Sequence, residues 1–264
     1  RSLQAHQIHL FSLPERDSNP AILNNAHLVA RTLNLPLVVR DLTGQFEGLG
    51  IYEQVPRELA ENRPLLERSI DILGKFSATP ALYPWAQSYA FERRKGLLAE
   101  VLRRRLWTYA GKTQSFIHGK VRSRMLVLSF EAMKADCLLV CTTDRSEMSV
   151  GFYDPHGDGV GDIAPLCHLF KTQIRILARS PGIPDVILEQ PSSGDLAAGL
   201  PNEAAIGLHY GQLDLVLAGL SMNMTDEEIS AGSGVKRSMV KAIRAACRVA
   251  DDRRSMPVKL KGED

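Results

Sequence analysis

The residues best able to do chemistry lie close together in the chain: Thr142, Glu147, Asp158, Asp162 and Lys171. Four of them fall in CTTDRSEMSVGFYDPHGDGVGD (141–162), which holds five acidic residues and four glycines and is too polar to be core. Carboxylates with little bulk between them suit Mg2+, a hard cation held by a few carboxylates plus substrate phosphates. Lys171 follows nine residues after Asp162 and supplies a point charge for a phosphate. The run DPHGDGVGD also invites a calcium loop, but it lacks the glutamate at the twelfth position and the flanking helices. A third reading is a glycine-rich surface turn whose aspartates cap backbone amides. Residue types alone leave the magnesium site and the turn both open.

The elements around this stretch suggest where it would sit. IHLFSLP (8–14) reads as a short buried strand and PLVVRDL (36–42) as the next. Between them, Ser18 as N-cap and Pro20 just inside predict a helix with Ile22, Ala26, Val29, Ala30 and Leu33 on one face. Strand, helix, strand at this spacing implies a βαβ unit and a parallel sheet. Residues 56–110 and 120–135 read as helical, and CLLVCTT (137–143) as a buried strand. Helices are expected from about Leu166 to Ala178, Glu203 to Leu220 and Val235 to Ala250. Strands alternating with helices give an α/β fold, doubly wound on a mostly parallel sheet. In such sheets ligands bind beyond the carboxyl ends of the strands, where the acidic loop falls.

Composition narrows the class. The chain of 264 residues is 44% hydrophobic and 23% charged, with a formal net charge of +2. That describes an ordinary globular protein, read here as a single domain over 1–264, and the balance favours neither nucleic acid nor a membrane. No apolar run reaches the ~18 residues of a membrane span. Cys137, Cys141, Cys167 and Cys247 show no CxxC spacing; Cys137 and Cys141, on either side of an apolar run, read as buried free thiols rather than a zinc pair, with a reducing cytoplasm as the default compartment. The basic residues of ERRKGLLAEVLRRRLW (92–107) read as a solvated helix face, because aromatics do not interleave with them.

Several ordered motifs carry a family resemblance. CTTDRSEMSVGFYDPHGDGVGD, with the following KTQIRILA, matches a pattern of Gly-Thr-x-x-x-Ser-Glu, Gly-Tyr-x-Thr-Lys-x-Gly-Asp, Asp-x-x-Pro and Lys-Thr-Gln-Val. KVRSRM upstream, and QPSSGDL, NEAAIGLHYGQLD and DDRRSMP downstream, continue it, as does LPERDSNPAILNNAHLVARTLNL near the start. Together they resemble the NAD synthetase family over most of the chain, with residues 45–115 matching least. The resemblance implies the adenine nucleotide alpha hydrolase-like fold of the N-type ATP pyrophosphatases, with ATP as co-substrate, Mg2+ as cofactor and usually a homodimer. The implied reaction makes NAD from deamido-NAD, ATP and ammonia through an adenylate, and some members draw the ammonia from a glutaminase domain or subunit. Position by position, the resemblance implies that Thr142, Lys171 and Ser192 contact ATP and that Glu147 binds Mg2+. It also implies that Arg122, Asp158 and Asp162 meet deamido-NAD. Without the family, Arg122 reads as a surface salt-bridge former and Ser192 as a turn residue after Pro191.

The chain departs from the pattern at several points. Cys141 stands for a glycine, Pro155 for a lysine, Asn202-Glu203 for Asp-Glu and Asp252-Arg253 for His-Lys. Pro155 carries no charge and no N–H, whereas Arg253 retains a cation for a substrate phosphate. These changes bear on the dinucleotide half of the site more than on the ATP half. The family's Ser-Gly-Gly-x-Asp-Ser pyrophosphate loop does not occur in the 264 residues, and the sequence reads as a fragment lacking the first strand. A nucleotide-binding pseudo-enzyme is therefore one alternative. A second is another N-type pyrophosphatase, against which GDGVGD and KTQ argue. A third is a helix-turn-helix DNA-binding protein built on MTDEEISAGSGVKRSMVKAIRAACR (224–248), with Lys236, Arg237 and Lys241 at the groove.

Overall fold

A computed structural model of the chain describes residues 5–60, 62, 64, 68, 97–179, 182–196 and 200–254. Most of the segment expected to be helical over 56–110 lies outside these residues. Strand β1 (Leu10–Ser12) pairs in parallel with β2 (Leu37–Val39), Leu10 opposite Leu37 and Ser12 opposite Val39. Helix α1 (Pro20–Thr32) joins them, so the expected strand–helix–strand unit is present. Its N-cap is Asn19 rather than Ser18: Asn19 accepts from the Ala21 N–H, while the Ser18 hydroxyl accepts from Glu15 N–H. Pro20 takes the first helical position, where its missing N–H leaves nothing unsatisfied.

Helices α2 (Thr43–Gly48) and α3 (Arg57–Ala60) follow β2. The next described element is α4 (Leu97–Lys134), 38 residues long, which merges the two helices expected at 92–107 and 120–135. Phe116 and Val127 on α4 pack with Leu42, Phe46, Ile51 and Val55 into a small core. Residues 137–143 do not form the expected buried strand. They make one parallel bridge, Val140 to Ile163, and Leu138 and Val140 are 66% and 46% exposed. With no ladder on either side among the described residues, Leu138 and Val140 stay at the surface, while Cys141 and Thr143 are buried.

The C-terminal half is helical: α5 (Arg145–Val150), α6 (Lys171–Leu177), α7 (Asp185–Leu188), α8 (Asn202–Ile206), α9 (Tyr210–Ser221), α10 (Asp226–Ser233) and α11 (Arg237–Arg254). The helix expected from Leu166 begins at Lys171. The single helix expected over 203–220 is two, broken at Gly207, whose φ of 79° a side chain would oppose. The main core gathers Ile206, Leu213, Val216, Ile229, Val240 and Ile243. Each such side chain contributes about 1.5–3 kcal/mol on burial. The α10–α11 pair shares this core through Ile229, Val240 and Ile243, so it is docked, and the free-standing basic helix of a DNA reader is not what the chain forms. All four cysteines are free thiols; Cys141 is buried as expected, whereas Cys137 is only half-buried, correcting that part of the expectation.

Candidate active site

Glu147 is placed by its own helix end. Asp144 caps α5, accepting from the Glu147 N–H at 2.9 Å, while Glu147 Oε2 accepts from the Asp144 N–H at 3.2 Å. This reciprocal capping box leaves Glu147 Oε1 facing three donors. They are Lys171 Nζ at 3.0 Å, Tyr210 Oη at 3.1 Å and Asn202 Nδ2 at 3.3 Å. Lys171 is brought in from α6, whose first turn is pinned by buried Asp214. That carboxylate accepts from the Ser146 hydroxyl at 2.5 Å and from the Thr172 N–H and hydroxyl, and Ser146 Oγ in turn accepts from the Lys171 N–H.

The electrostatics of this group are those of a cation held between two carboxylates. Lys171 Nζ also lies 2.6 Å from Asp144 Oδ2, an ion pair at an oxygen that is otherwise buried without a donor. Burial, then the neighbouring Glu147 charge, push the Asp144 carboxyl up against the pull of Lys171. Burial favours the neutral form of Lys171, yet Glu147 and Asp144 outweigh it and its pKa is raised. Lys171 therefore stays an ammonium. Burial, with Glu147 next to it, likewise raises the Tyr210 phenol, which remains a donor.

The second group lies on the acidic loop. Arg122, on α4, donates Nε to Asp154 Oδ2 at 2.7 Å and Nη2 to Asp154 Oδ1 at 3.2 Å. Asp154 is the residue between: its own N–H donates to Asp158 Oδ1 at 2.7 Å. Burial alone would raise the Asp154 carboxyl; His118, Arg122 and the His156 N–H reverse that and hold it well below the usual carboxylate range. Asp158 goes the other way, to about 6, first through desolvation and then through the charges of Glu147 and Asp154. Asp158 is exposed, which weakens the desolvation.

The remaining residues singled out from sequence divide. Asp162 is exposed and accepts from the Leu139 N–H at 2.8 Å, a tie that closes the loop on residues 139–141. Thr142 is exposed at the end of that segment. Ser192 joins the first group through its backbone: its carbonyl accepts from the Asn202 N–H at 2.7 Å, and Asn202 reaches Glu147. Arg253 lies in α11, and its side chain is outside the described residues. Two departures find structural uses. Cys141, 3% exposed, donates Sγ–H to the Asp158 carbonyl, and Gly161 passes so close that a Cβ there would lie 2.8 Å from Cys141 N and Cβ. Asn202 supplies the donor to Glu147 that an aspartate could not. Sequence reasoning missed Asp144, Asp154, His118, Tyr210 and Asp214. Only Asp144 had a legible signal, the D-x-x-E capping spacing with Glu147.

Comparison with known proteins bears on this arrangement. The family model described as NAD synthase matches residues 102–257, more than half of the chain. The chain belongs to the NAD synthase family. The NH3-dependent NAD+ synthetase of Coprothermobacter proteolyticus is 31% identical over 222 residues, 82% of this chain and 70% of that protein. That of Thermotoga maritima is 30% identical over 240 residues, 90% of this chain and 79% of the relative. Among solved structures, the NMN synthetase of Francisella tularensis superposes with a TM-score of 0.60 at 17% identity, covering 96% of this chain and 78% of that one. The NH3-dependent NAD synthetase of Campylobacter jejuni gives 0.53 at 17% identity, covering 95% and 78%. These likenesses show that this NAD synthase family member has the α/β fold of such synthetases, as expected from the sequence.

Proposed function

We propose that this chain catalyses ATP-dependent amidation of deamido-NAD to NAD, releasing AMP and pyrophosphate. The observation that carries it is the Glu147–Lys171 pair, built by four helices of a NAD synthase family member. A carboxylate is a poor electrophile. Its oxygen attacks the α-phosphorus of ATP, the bond to pyrophosphate breaks, and the adenylate that forms has AMP as a leaving group. Ammonia then attacks the acyl carbon, the bond to AMP breaks, and the nitrogen gives up a proton to leave the amide. Lys171, held as an ammonium, suits the phosphate oxygens that gain charge in the first step, a task preorganised cations perform. Thr142 and Ser192 are read as further ATP contacts, and Arg122, Asp158, Asp162 and Arg253 as contacts to deamido-NAD.

Magnesium fits the first group. Asp144 and Glu147 offer hard oxygens, and at the buried Asp144 Oδ2 an ion would take the place that Lys171 Nζ, 2.6 Å away, now holds. Among the described residues no three His, Cys, Asp or Glu side chains could cage a metal, so an ion here would take its other ligands from water and ATP, as Mg2+ commonly does. When bound it would offset the charge of the departing pyrophosphate. Ammonia is the nitrogen donor in this reading, supplied free or by a glutaminase domain or subunit. A homodimer is proposed as well, supported by Leu126, Phe130 and Met133, three exposed apolar residues on one face of α4. A cytoplasmic location suits the free thiols; among the described residues no helix is long and apolar enough to cross a membrane.

The test is to incubate the full chain with deamido-NAD, ATP, Mg2+ and ammonium and to separate the products. NAD and AMP in equal amounts are expected. Binding of ATP or deamido-NAD with no AMP released would instead make the protein a pseudo-enzyme.

A further inference from the structure

The first group described above is crowded with partners, whereas the second is organised by one side chain that the function just proposed does not use. Asp154 is 3% exposed. Its Oδ2 accepts from Arg122 Nε at 2.7 Å and faces His118 Nδ1 at 2.6 Å; its Oδ1 accepts from Arg122 Nη2 at 3.2 Å and from the His156 N–H at 2.9 Å. His118 and Arg122 are one turn apart on α4, so this single carboxylate takes up two side chains of one helix face. Its backbone is equally committed. The Asp154 N–H donates to Asp158, and the Asp154 carbonyl accepts from the Gly157 and Gly159 N–H groups, both at 2.9 Å. The loop is pressed onto the helix at this point: a Cβ on Gly157 would lie 2.4 Å from Val121 Cγ1.

A guanidinium offers five N–H groups in a planar fork. Asp154 occupies the Nε–Nη2 edge, and the Arg122 side chain remains 50% exposed. The outer edge of the fork is then turned to solvent in a fixed plane. A half-exposed arginine without such a hold loses about 2 kcal/mol of rotamer entropy when an anion orders it. Held by Asp154, it has surrendered that freedom before any ligand arrives, and preorganisation of this kind appears as affinity.

We propose that Asp154 is a positioning residue for deamido-NAD, fixing Arg122 and Asp158 in one frame so that the outer edge of the Arg122 fork meets an anionic group of the dinucleotide. The proposal rests on the function read above and adds to it a residue that touches no substrate. Asp154 lowers the net charge at Arg122 while fixing its direction, and direction is the larger effect for a planar, two-point donor.

The decisive experiment is a double-mutant cycle on the full chain with Asp154→Asn and Arg122→Lys, reading KM for deamido-NAD, KM for ATP and kcat. Asp154→Asn keeps the shape and removes one half of the charged grip. Arg122→Lys keeps the cation and removes the fork. Each single variant is expected to raise KM for deamido-NAD about tenfold, with kcat and KM for ATP within about twofold, and the double variant to add less than twofold to either. A merely structural Asp154 would shift both KM values and the unfolding temperature together. The proposal is overturned if Asp154→Asn leaves KM for deamido-NAD unchanged or lowers it, or if the two effects multiply. Should Asp154→Asn fail to fold, Asp154→Ser takes its place in the cycle and is read by the same outcomes, and an unaltered KM in Arg122→Lys overturns the proposal by itself. A wild-type chain that neither binds deamido-NAD nor makes NAD would defeat the functional reading itself. Normal wild-type turnover with an indifferent Asp154→Asn would defeat the positioning role alone.

Discussion

Glu147 meets partners from three other helices, whereas Arg122 is held by one carboxylate. The first arrangement rests on the main core: Tyr210 is fully buried, and Asp214 anchors the start of α6 from beneath. The second rests on a loop laid against the side of α4. Where many elements converge, charge can be kept in a nearly dry place because every lone pair has a donor or a cation beside it. Where one side chain does the holding, geometry is cheaper to build and easier to lose. If the first group serves phosphate chemistry and the second dinucleotide recognition, as proposed, the two should therefore fail differently.

The largest effect is expected at Lys171. Lys171→Met leaves Asp144 and Glu147 as neighbouring buried carboxylates with no cation between them, costing about 3–5 kcal/mol in a urea titration. NAD formation should drop at least about a hundredfold. Activity that survives would deny Lys171 its role. Asp214→Ala comes next. It orphans the Ser146 hydroxyl and both Thr172 donors, and a loss of about 3 kcal/mol is expected. If the first group is as interlocked as described, KM for ATP should rise while KM for deamido-NAD holds.

A third change strikes the loop. Gly161→Ala would drive a Cβ into Cys141 main chain at 2.8 Å, so the loop must move, at about 2 kcal/mol. The contrast predicts the reverse pattern from Asp214→Ala, with KM for deamido-NAD rising and KM for ATP steady; equal rises would merge the two groups into one unit. The smallest effect concerns Asp158, whose folded carboxyl sits at about 6 against ~3.9 in the unfolded chain. The native state then holds the proton more tightly, so this group lowers stability as pH climbs from about 4 to about 6, and the penalty stays level above. Asp158→Asn should be indistinguishable from the parent below pH 4 and more stable above pH 6, by no more than about 1 kcal/mol because Asp158 is exposed. Parallel stability curves across that range would refute it.

Much of this was legible in the sequence, for identifiable reasons. The β1–α1–β2 unit follows from local signals, Pro20 at a helix start and apolar runs on each side. Glu147 near a helix start was equally readable, because capping is a matter of residues three apart. The bent course of 203–220 was not, since Gly207 within an apolar pattern reads as a tolerated glycine until its φ is known. Residues 137–143 misled because a run of leucine and valine describes what a strand wants, and not whether a neighbour is there to pair with it. Asp154 and Asp214 were invisible for a different reason. The side chains that meet these carboxylates come from 32 to 68 residues away, and no short pattern encodes that distance.

Lys120 and Glu15 stand 105 residues apart in the chain, and both side chains are wholly enclosed, with Asp17 and the Leu196 carbonyl completing the ammonium's shell. A bond of that span closes only after a long search, while the helix-to-helix contacts of 202–250 are far more local. Enclosing this ammonium is thus expected to come late in folding, and its release early in unfolding. In native-state hydrogen exchange the amides of Leu10–Ser12 should open at lower free energy than those of Leu213–Leu217; one shared opening energy would mean that the molecule comes apart all at once.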